Sequence, residues 1–358
     1  MHKGILAVSA TAALLAAGCG SGKPTLHIFT WSEYISPELV SRFEEENACR
    51  VKIDIFDSNE TMLAKVKQGA TGYDLITPTS YMVKELSLGG FLEKIDHEKV
   101  PNSKNVLPAF QRCALDPTME YGVPYMVTYT GFAYRDDMVN PAPEPSWSVF
   151  ETRTDLKGHM TIMGDMRETI GAALLYHGHS LNSVDPAELA EARDTVIKWK
   201  RNIATFENEQ FKSGIASGQY LLVHGYSGDI GQAQLDDDGN PTEDDNHITF
   251  VLPKEGFSLS CDEFVIPTTA RNKDLAYKFI DFIHDGEVAA QNMMYTTYWC
   301  PNAPAMEILA STEEGREFLQ NPTVFLPGDE LERGEVIGYL GDKLELYKKT
   351  WDEIRSAE

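Results

Sequence analysis

Past its first two dozen residues the chain alternates short apolar runs with amphipathic stretches. Leu26 to Phe29 is an apolar run of strand length. Ser36 and Pro37 then open a stretch in which Leu39, Val40 and Phe43 recur at helical spacing, with proline at the first helical position. Val51-Lys52-Ile53-Asp54-Ile55-Phe56 alternates with the period of a strand. Asp57 and Ser58 start a helix carrying Met62 and Val66, Tyr73 to Thr77 forms the next strand, and Ser80 follows Pro78 into another helix. Repeated β-α-β units of this kind build a mainly parallel sheet wrapped by helices.

The pattern changes at Tyr125 to Tyr134, a run long for one strand and suited to crossing between domains. After the prolines 141, 143 and 145 comes a second α/β set. It comprises a strand from His159 to Met163, a helix from Asp165, a helix from Pro186 to Asn202, and strands at Tyr220–His224 and Ile248–Leu252. Phe264 to Pro267 and a helix from Lys273 to His284 read as a return to the first domain, and Glu335 to Ile354 as an amphipathic closing helix. The expected fold is α/β with two domains: residues 25–131 with 256–303, and residues 132–255 with 304–358. Two domains joined by several crossovers can hinge and close on a ligand held at the carboxyl ends of their strands.

The first residues are expected to be a sorting signal. Lys3 precedes an apolar run from Ile5 to Ala17 that is too short for a stable span, so residues 1–18 read as a signal peptide. Leu15-Ala16-Ala17-Gly18-Cys19 resembles a bacterial lipobox, with Ala16 where leucine is usual. Cleavage before Cys19 and lipidation of its thiol would leave residues 19–24 as a tether to the extracytoplasmic membrane surface. Cys49, Cys113, Cys261 and Cys300 permit two bridges in an exported protein, or buried thiols in a domain large enough to need none. The formal net charge of −24 argues against nucleic acid or an anionic membrane as partner.

Candidate chemistry starts at Phe29-Thr30-Trp31-Ser32-Glu33-Tyr34, just after the first strand. Aromatic faces and a carboxylate within four residues suit an organic cation, although Trp31 and Tyr34 alone serve equally well in a core. Asp165 followed by Glu168 has the spacing of a capping box, a structural use as reasonable as a binding one. Asp229 and Asp262 stand near strand ends. His177 and His179 lack the spacing of a metal pair, and the acidic run Asp236 to Asp245 lacks the glycine of a calcium loop. No metal or cofactor is expected. The chain carries no GxSxG, P-loop or HExxH motif.

Taken in order, these residues carry a family likeness. Phe29 to Ile35, Ser58-Asn59-Glu60-Thr61-Met62 and Tyr73 to Tyr81 resemble the spermidine/putrescine-binding proteins of polyamine ABC importers. Gly122-Val123-Pro124-Tyr125, Leu156-Lys157-Gly158, Val251 to Gly256 and Ile266-Pro267 through Asn272-Lys273 continue the likeness across nearly the whole mature chain. The resemblance implies a two-domain type II periplasmic-binding-protein fold with an interdomain ligand cleft. It implies a monomeric receptor, not an enzyme, which captures putrescine or spermidine and delivers it to an ABC permease. By position it makes Trp31, Ser32, Glu33 and Tyr34 one wall, with Thr79 and Tyr81 beside it. Asp165 and Glu168 become an acidic pair in the second domain, followed by Tyr226, Asp229, Asp262 and Tyr298. Ammonium counterions would be Glu33, Asp229 and Asp262, with Asp165 and Glu168 serving a second or middle amine. Two departures stand out, Ser260 in place of the family's aromatic and Tyr226 in place of its tryptophan, and the family's glutamine has no clear counterpart near Ile337. A different cationic or polar ligand, a sensory role, or a hydrolase using Asp165 and Glu168 are the competing expectations.

Overall fold

The computed structural model describes residues 22–69, 72–108, 115–235 and 247–357. Cys19, Cys113 and the acidic run from Asp236 to Asp245 lie outside these residues. The strands are β1 (Thr25–Thr30), β2 (Arg50–Ile55), β3 (Leu75–Ile76), β4 (Gly122–Arg135), β5 (Met160–Ile162), β6 (Thr205–Phe206), β7 (Leu222–Tyr226), β8 (Ile248–Val251), β9 (Phe257–Val265) and β10 (Gly334–Val336).

They run in the order β2-β1-β3-β9-β4-β7-β5-β6, with β10 beside β9 and β8 beside β4. Pairing is parallel where β-α-β units place it, between β1 and β2, β1 and β3, and β5 and its neighbours β6 and β7. β4 joins the two halves. Its residues from Gly122 to Tyr129 pair antiparallel with β9, and those from Thr130 to Tyr134 pair with β7. The long run from Tyr125 to Tyr134 is thus one strand shared by two lobes.

Local signals account for the helix starts. Asp165 caps the Met166–Tyr176 helix by accepting from the backbone N–H groups of Arg167 and Glu168. Ser58 does the same for Asn59–Lys67, and Asp185 for Pro186–Lys200, where proline sits in the first turn. The first lobe's core gathers Leu26 and Ile28 of β1, Tyr125 and Met126 of β4, and Phe279 and Ile280 of the Lys273–Ile283 helix. The second lobe buries Trp147, Phe150, Ile162, Trp199 and Tyr347.

Three expectations need revision. The stretch Glu335 to Ile354 is not one helix: Glu335 and Val336 extend β10 along β9, and the helix runs only over Leu344–Ser356. Gly338 and Gly341 separate the two, and Gly341 adopts φ +54, a conformation that opposes helix continuation. The last strand of the first lobe is longer than Phe264 to Pro267, because β9 begins at Phe257. The packing also does not change lobes at 303/304. Ala305, Leu309 and Leu326 join the first lobe's core, and the chain reaches the second lobe only after β10.

Cys49 and Cys300 are buried thiols. Burial pushes the Cys300 thiol up to about 12, which leaves it uncharged and unreactive at neutral pH.

Candidate functional site

Strand ends and helix starts from both lobes converge on one cleft with a free volume of about 50 Å³. The segment after β1 supplies Trp31, Ser32 and Tyr34; the start of the Ser80–Leu88 helix supplies Thr79 and Tyr81; β9 supplies Asp262. The second lobe contributes Asp165 and Glu168, then Tyr226 and Asp229 around the start of the Ser227–Ala233 helix. Tyr298 follows the Gly286–Thr296 helix. Eleven of the twelve residues singled out from the sequence therefore line a single enclosed space; Glu33 is the exception.

Three of the four aspartates lining the cleft stand beside a tyrosine; the fourth, Asp57, is exposed. The Tyr34 hydroxyl donates to Asp262 Oδ2 at 2.7 Å, and Thr79 Oγ1 donates to its other oxygen at 2.7 Å. Tyr298 stands by Asp229 and Tyr226 by Asp165, and each tyrosine lowers the proton affinity of its carboxylate. Thr79 is itself fixed by Asn59, whose Nδ2 donates to Oγ1 at 2.9 Å and whose Oδ1 accepts from the Thr79 N–H. Glu168 Oε2 accepts from Thr130 Oγ1 at 3.0 Å and from Ser258 Oγ at 2.5 Å.

Enclosure dominates the electrostatics. Burial pushes Asp262 up to about 6, against the opposing hydrogen bonds of Thr79 and Tyr34. Burial, then the field of Asp165, pushes Glu168 up to about 8. Asp165 and Asp229 are also raised by burial. A row of carboxylates held above their ordinary range in a closed space gains from any cation that enters.

The cleft is walled by rings. Tyr34 packs edge-on against Tyr298 at 5.1 Å between centroids, and Trp31 packs against Phe56 at 4.4 Å. Arg167 was not anticipated, although it lies between Asp165 and Glu168. Its guanidinium stands 5.4 Å from the Tyr81 ring and 4.9 Å from Tyr347, and donates to Gly338 O and Asn182 Oδ1. It braces the back of the site and sets its charge beside Asp165 and Glu168.

Glu33 departs from its expected place. Its side chain is 57% exposed, at the rim, and its Oε2 lies 2.5 Å from Lys212 Nζ. The backbone explains the direction: Glu33 adopts φ +51, a left-handed turn uncommon for a side chain of this size. Lys212, in the Phe211–Ala216 helix, also stands 3.7 Å from Asp229 and 3.0 Å from Gln232 Oε1. Burial pulls the Lys212 ammonium down, but Asp229 and Glu33 outweigh it and hold it above its usual range. No sequence signal marked Lys212, because a lone lysine in a short helix carries no pattern.

The histidine pair is occupied locally. His177 Nε2 contacts Thr195 at 2.7 Å and His179 Nε2 contacts Glu191 at 2.9 Å, both outside the cleft. Among the described residues no helix is long and apolar enough to cross a membrane.

A two-lobed α/β chain with an enclosed polar cleft between its lobes defines a solute-binding protein. A model of the family described as bacterial extracellular solute-binding protein matches residues 38–316, and the chain belongs to that family, a non-enzymatic class. The putrescine/cadaverine-binding protein of Pseudomonas aeruginosa is 33% identical over 289 residues, covering 79% of this chain and 81% of that protein. The putrescine-binding periplasmic protein of Escherichia coli is 29% identical over 362 residues, covering 97% of this chain and 96% of that one. A spermidine/putrescine ABC transporter protein of Listeria monocytogenes superposes with a TM-score of 0.84 at 31% identity, covering 93% of this chain and 99% of that one. The TpPotD lipoprotein of Treponema pallidum superposes with a TM-score of 0.81 at 31% identity, covering 92% and 99%.

Proposed function

We propose that this chain is the extracytoplasmic receptor of an ABC importer and that it captures a polyamine between its two lobes. The observation that carries the reading is the set of buried carboxylates on both lobes, Asp262 and Glu168 fixed by hydroxyl donors and Asp165 by backbone N–H groups, in a cleft lined by aromatic rings. Asp262 receives one ammonium, and Asp165 with Glu168 receives the other. Trp31, Tyr34, Tyr81, Tyr226 and Tyr298 pack the methylenes between them.

Simple energetics support the assignment. A micromolar complex needs about 8 kcal/mol net. Each cation–π contact contributes roughly 0.5–2 kcal/mol, and each buried methylene about 0.8 kcal/mol. Two charge-assisted contacts added to these suffice after ordering costs. The names of the Escherichia coli and Pseudomonas aeruginosa relatives point to the same ligand class.

The proposal extends to anchoring and delivery. Lipidation at Cys19 would hold the receptor at the membrane surface, where a permease takes the bound ligand, and a monomer suffices for that cycle. A hydrolase role for Asp165 and Glu168 is disfavoured by the family, whose class is non-enzymatic. A second reading keeps the receptor and changes the ligand, and it rests on Ser260, a small polar residue in the cleft wall.

Titration calorimetry of the chain from Cys19 onward, unfolded and refolded to strip carried-over ligand, tests the proposal. The panel is putrescine, cadaverine, spermidine, spermine and arginine. Saturable one-to-one binding of a polyamine at micromolar affinity or tighter is expected. A folded protein that gives no heat with any of them would overturn the polyamine assignment and leave the family alone standing.

A further inference from the structure

Two acids expected to meet a ligand ammonium already share one. Lys212 Nζ lies 2.5 Å from Glu33 Oε2 on one lobe and 3.7 Å from Asp229 Oδ1 on the other, and its side chain is only 15% exposed. Gln232 completes the cage by accepting from Nζ at 3.0 Å and donating through Nε2 to Thr296 O at 2.9 Å. Tyr298 stands against Asp229 from the cleft side. A primary ammonium held by two carboxylates and an amide oxygen, beside an aromatic ring, is how a polyamine terminus would be held. Here the protein supplies that ammonium from its own chain.

Charge balance then limits the ligand. Asp57 and Glu209 also line the cleft but are exposed, so with Glu33 and Asp229 committed to Lys212 the acids left deep in the cleft are Asp262 and the adjacent pair Asp165 and Glu168, which Arg167 already adjoins. Asp165 and Glu168 lie on one helical turn, Asp165 raises the proton affinity of Glu168, and Arg167 lies beside both, so the pair acts as one cation position. That makes two positions. We infer that Lys212 is a resident ammonium that sets the charge of the bound ligand, so that the cleft selects a diamine over a triamine or tetraamine. A third ammonium would have to enter beside Lys212 at close range in an enclosed space, where like charges repel strongly.

This inference rests on the polyamine reading, and its test separates the two. Putrescine, cadaverine, spermidine and spermine are titrated into wild-type chain, Lys212→Gln and Lys212→Arg, with folding of each checked by its melting transition. Wild type is expected to bind a diamine at least tenfold more tightly than spermidine. Lys212→Gln is expected to shift the spermidine-to-diamine affinity ratio at least tenfold toward spermidine, because the freed carboxylates accept the third ammonium. Lys212→Arg is expected to keep the wild-type ratio. Using a ratio removes any general loss from loosening the Lys212–Glu33 contact between the lobes, which weakens every ligand alike.

Should Lys212→Gln fail to fold, Lys212→Met reads the same point, since it also removes the charge, and the same tenfold shift of the ratio toward spermidine is expected. Polyamine binding with an unchanged ratio in the uncharged variant would overturn the role of Lys212 while leaving the receptor intact. Absence of polyamine binding in every chain would overturn both.

Discussion

Tyr34 and Asp262 lie 228 residues apart in the chain, and the Tyr34 hydroxyl donates to the Asp262 carboxylate at 2.7 Å. The contact joins the segment after β1 to the middle of β9 and fixes the carboxylate that the proposed ligand would meet. Asp262→Asn removes the charge while keeping the shape, and should weaken polyamine binding at least tenfold by calorimetry. Tyr34→Phe removes one of two donors and should weaken binding about threefold to tenfold, since Thr79 still holds the other oxygen. Unchanged affinity in Asp262→Asn would remove it from the site.

Trp31 lines the cleft and packs on Phe56, and its Nε1 is buried with no hydrogen-bond partner. A ring held in that way is available to a ligand and less essential to the core. Trp31→Ala should lose at least tenfold in affinity, about the value of one desolvated cation–π contact with its packing. The unfolding transition should stay cooperative, with a modest fall in Tm. A collapsed transition would assign the ring to folding.

Polyamine affinity should rise with pH between about 5 and 8. Asp262 protonates near 6 and Glu168 near 8 in the free protein, both raised by burial. A bound cation favours the ionised carboxylates, so binding below those values must expel protons. Calorimetry at pH 7 in two buffers of different ionisation enthalpy should record proton release. Uptake of protons, or affinity independent of pH across this range, would contradict the carboxylate assignment.

Glu263, the neighbour of Asp262 on β9, points to the opposite side of the sheet. It is 1% exposed, and neither carboxylate oxygen finds a hydrogen-bond partner. Burial pushes it up from 4.5 to about 8. The folded state therefore binds this proton more tightly than the unfolded state, and the group's contribution to stability falls as pH rises from about 4.5 through 8. Glu263→Gln carries no charge to strip of water, so its Tm should fall less than that of wild type between pH 5 and 9. Parallel Tm profiles would show that Glu263 is solvated or paired.

Arg167 joins the start of the Met166–Tyr176 helix to the segment after β10 through Gly338 O and Asn182. Arg167→Lys keeps the charge but loses the planar stack between Tyr81 and Tyr347 and one of the donors. Denaturant unfolding should show a loss of about 1–3 kcal/mol. A loss within 0.5 kcal/mol, the range of ordinary surface changes, would show that the brace is dispensable.

Much of this was readable from local chemistry. Ser58, Asp165 and Asp185 mark their helix starts because a cap acts over three residues, and the structure uses each as written. The crossing strand was visible as an apolar run longer than one sheet needs. The apolar positions from Glu335 to Leu340 satisfy helical spacing, while pairing with β9, distant in sequence, makes part of the stretch a strand. Phe257 to Asp262 do alternate apolar and polar residues, but the polar side, with Ser258, Ser260 and Asp262, is buried where an alternating strand would face solvent.

The sequence by itself determined the two α/β sets, the strand that crosses between them, and the aromatic and acidic residues that gather at the strand ends. Those properties follow from periodicity, capping and side-chain chemistry acting within a few residues. Only the tertiary structure decided how the charges are shared. Lys212 and Glu33 are 179 residues apart, and no local pattern indicates that they meet. Closure of the two lobes brings that ammonium between Glu33 and Asp229, because an enclosed carboxylate must find a partner or take up a proton. Glu33 is thereby turned from an apparent ligand group into a contact between the lobes.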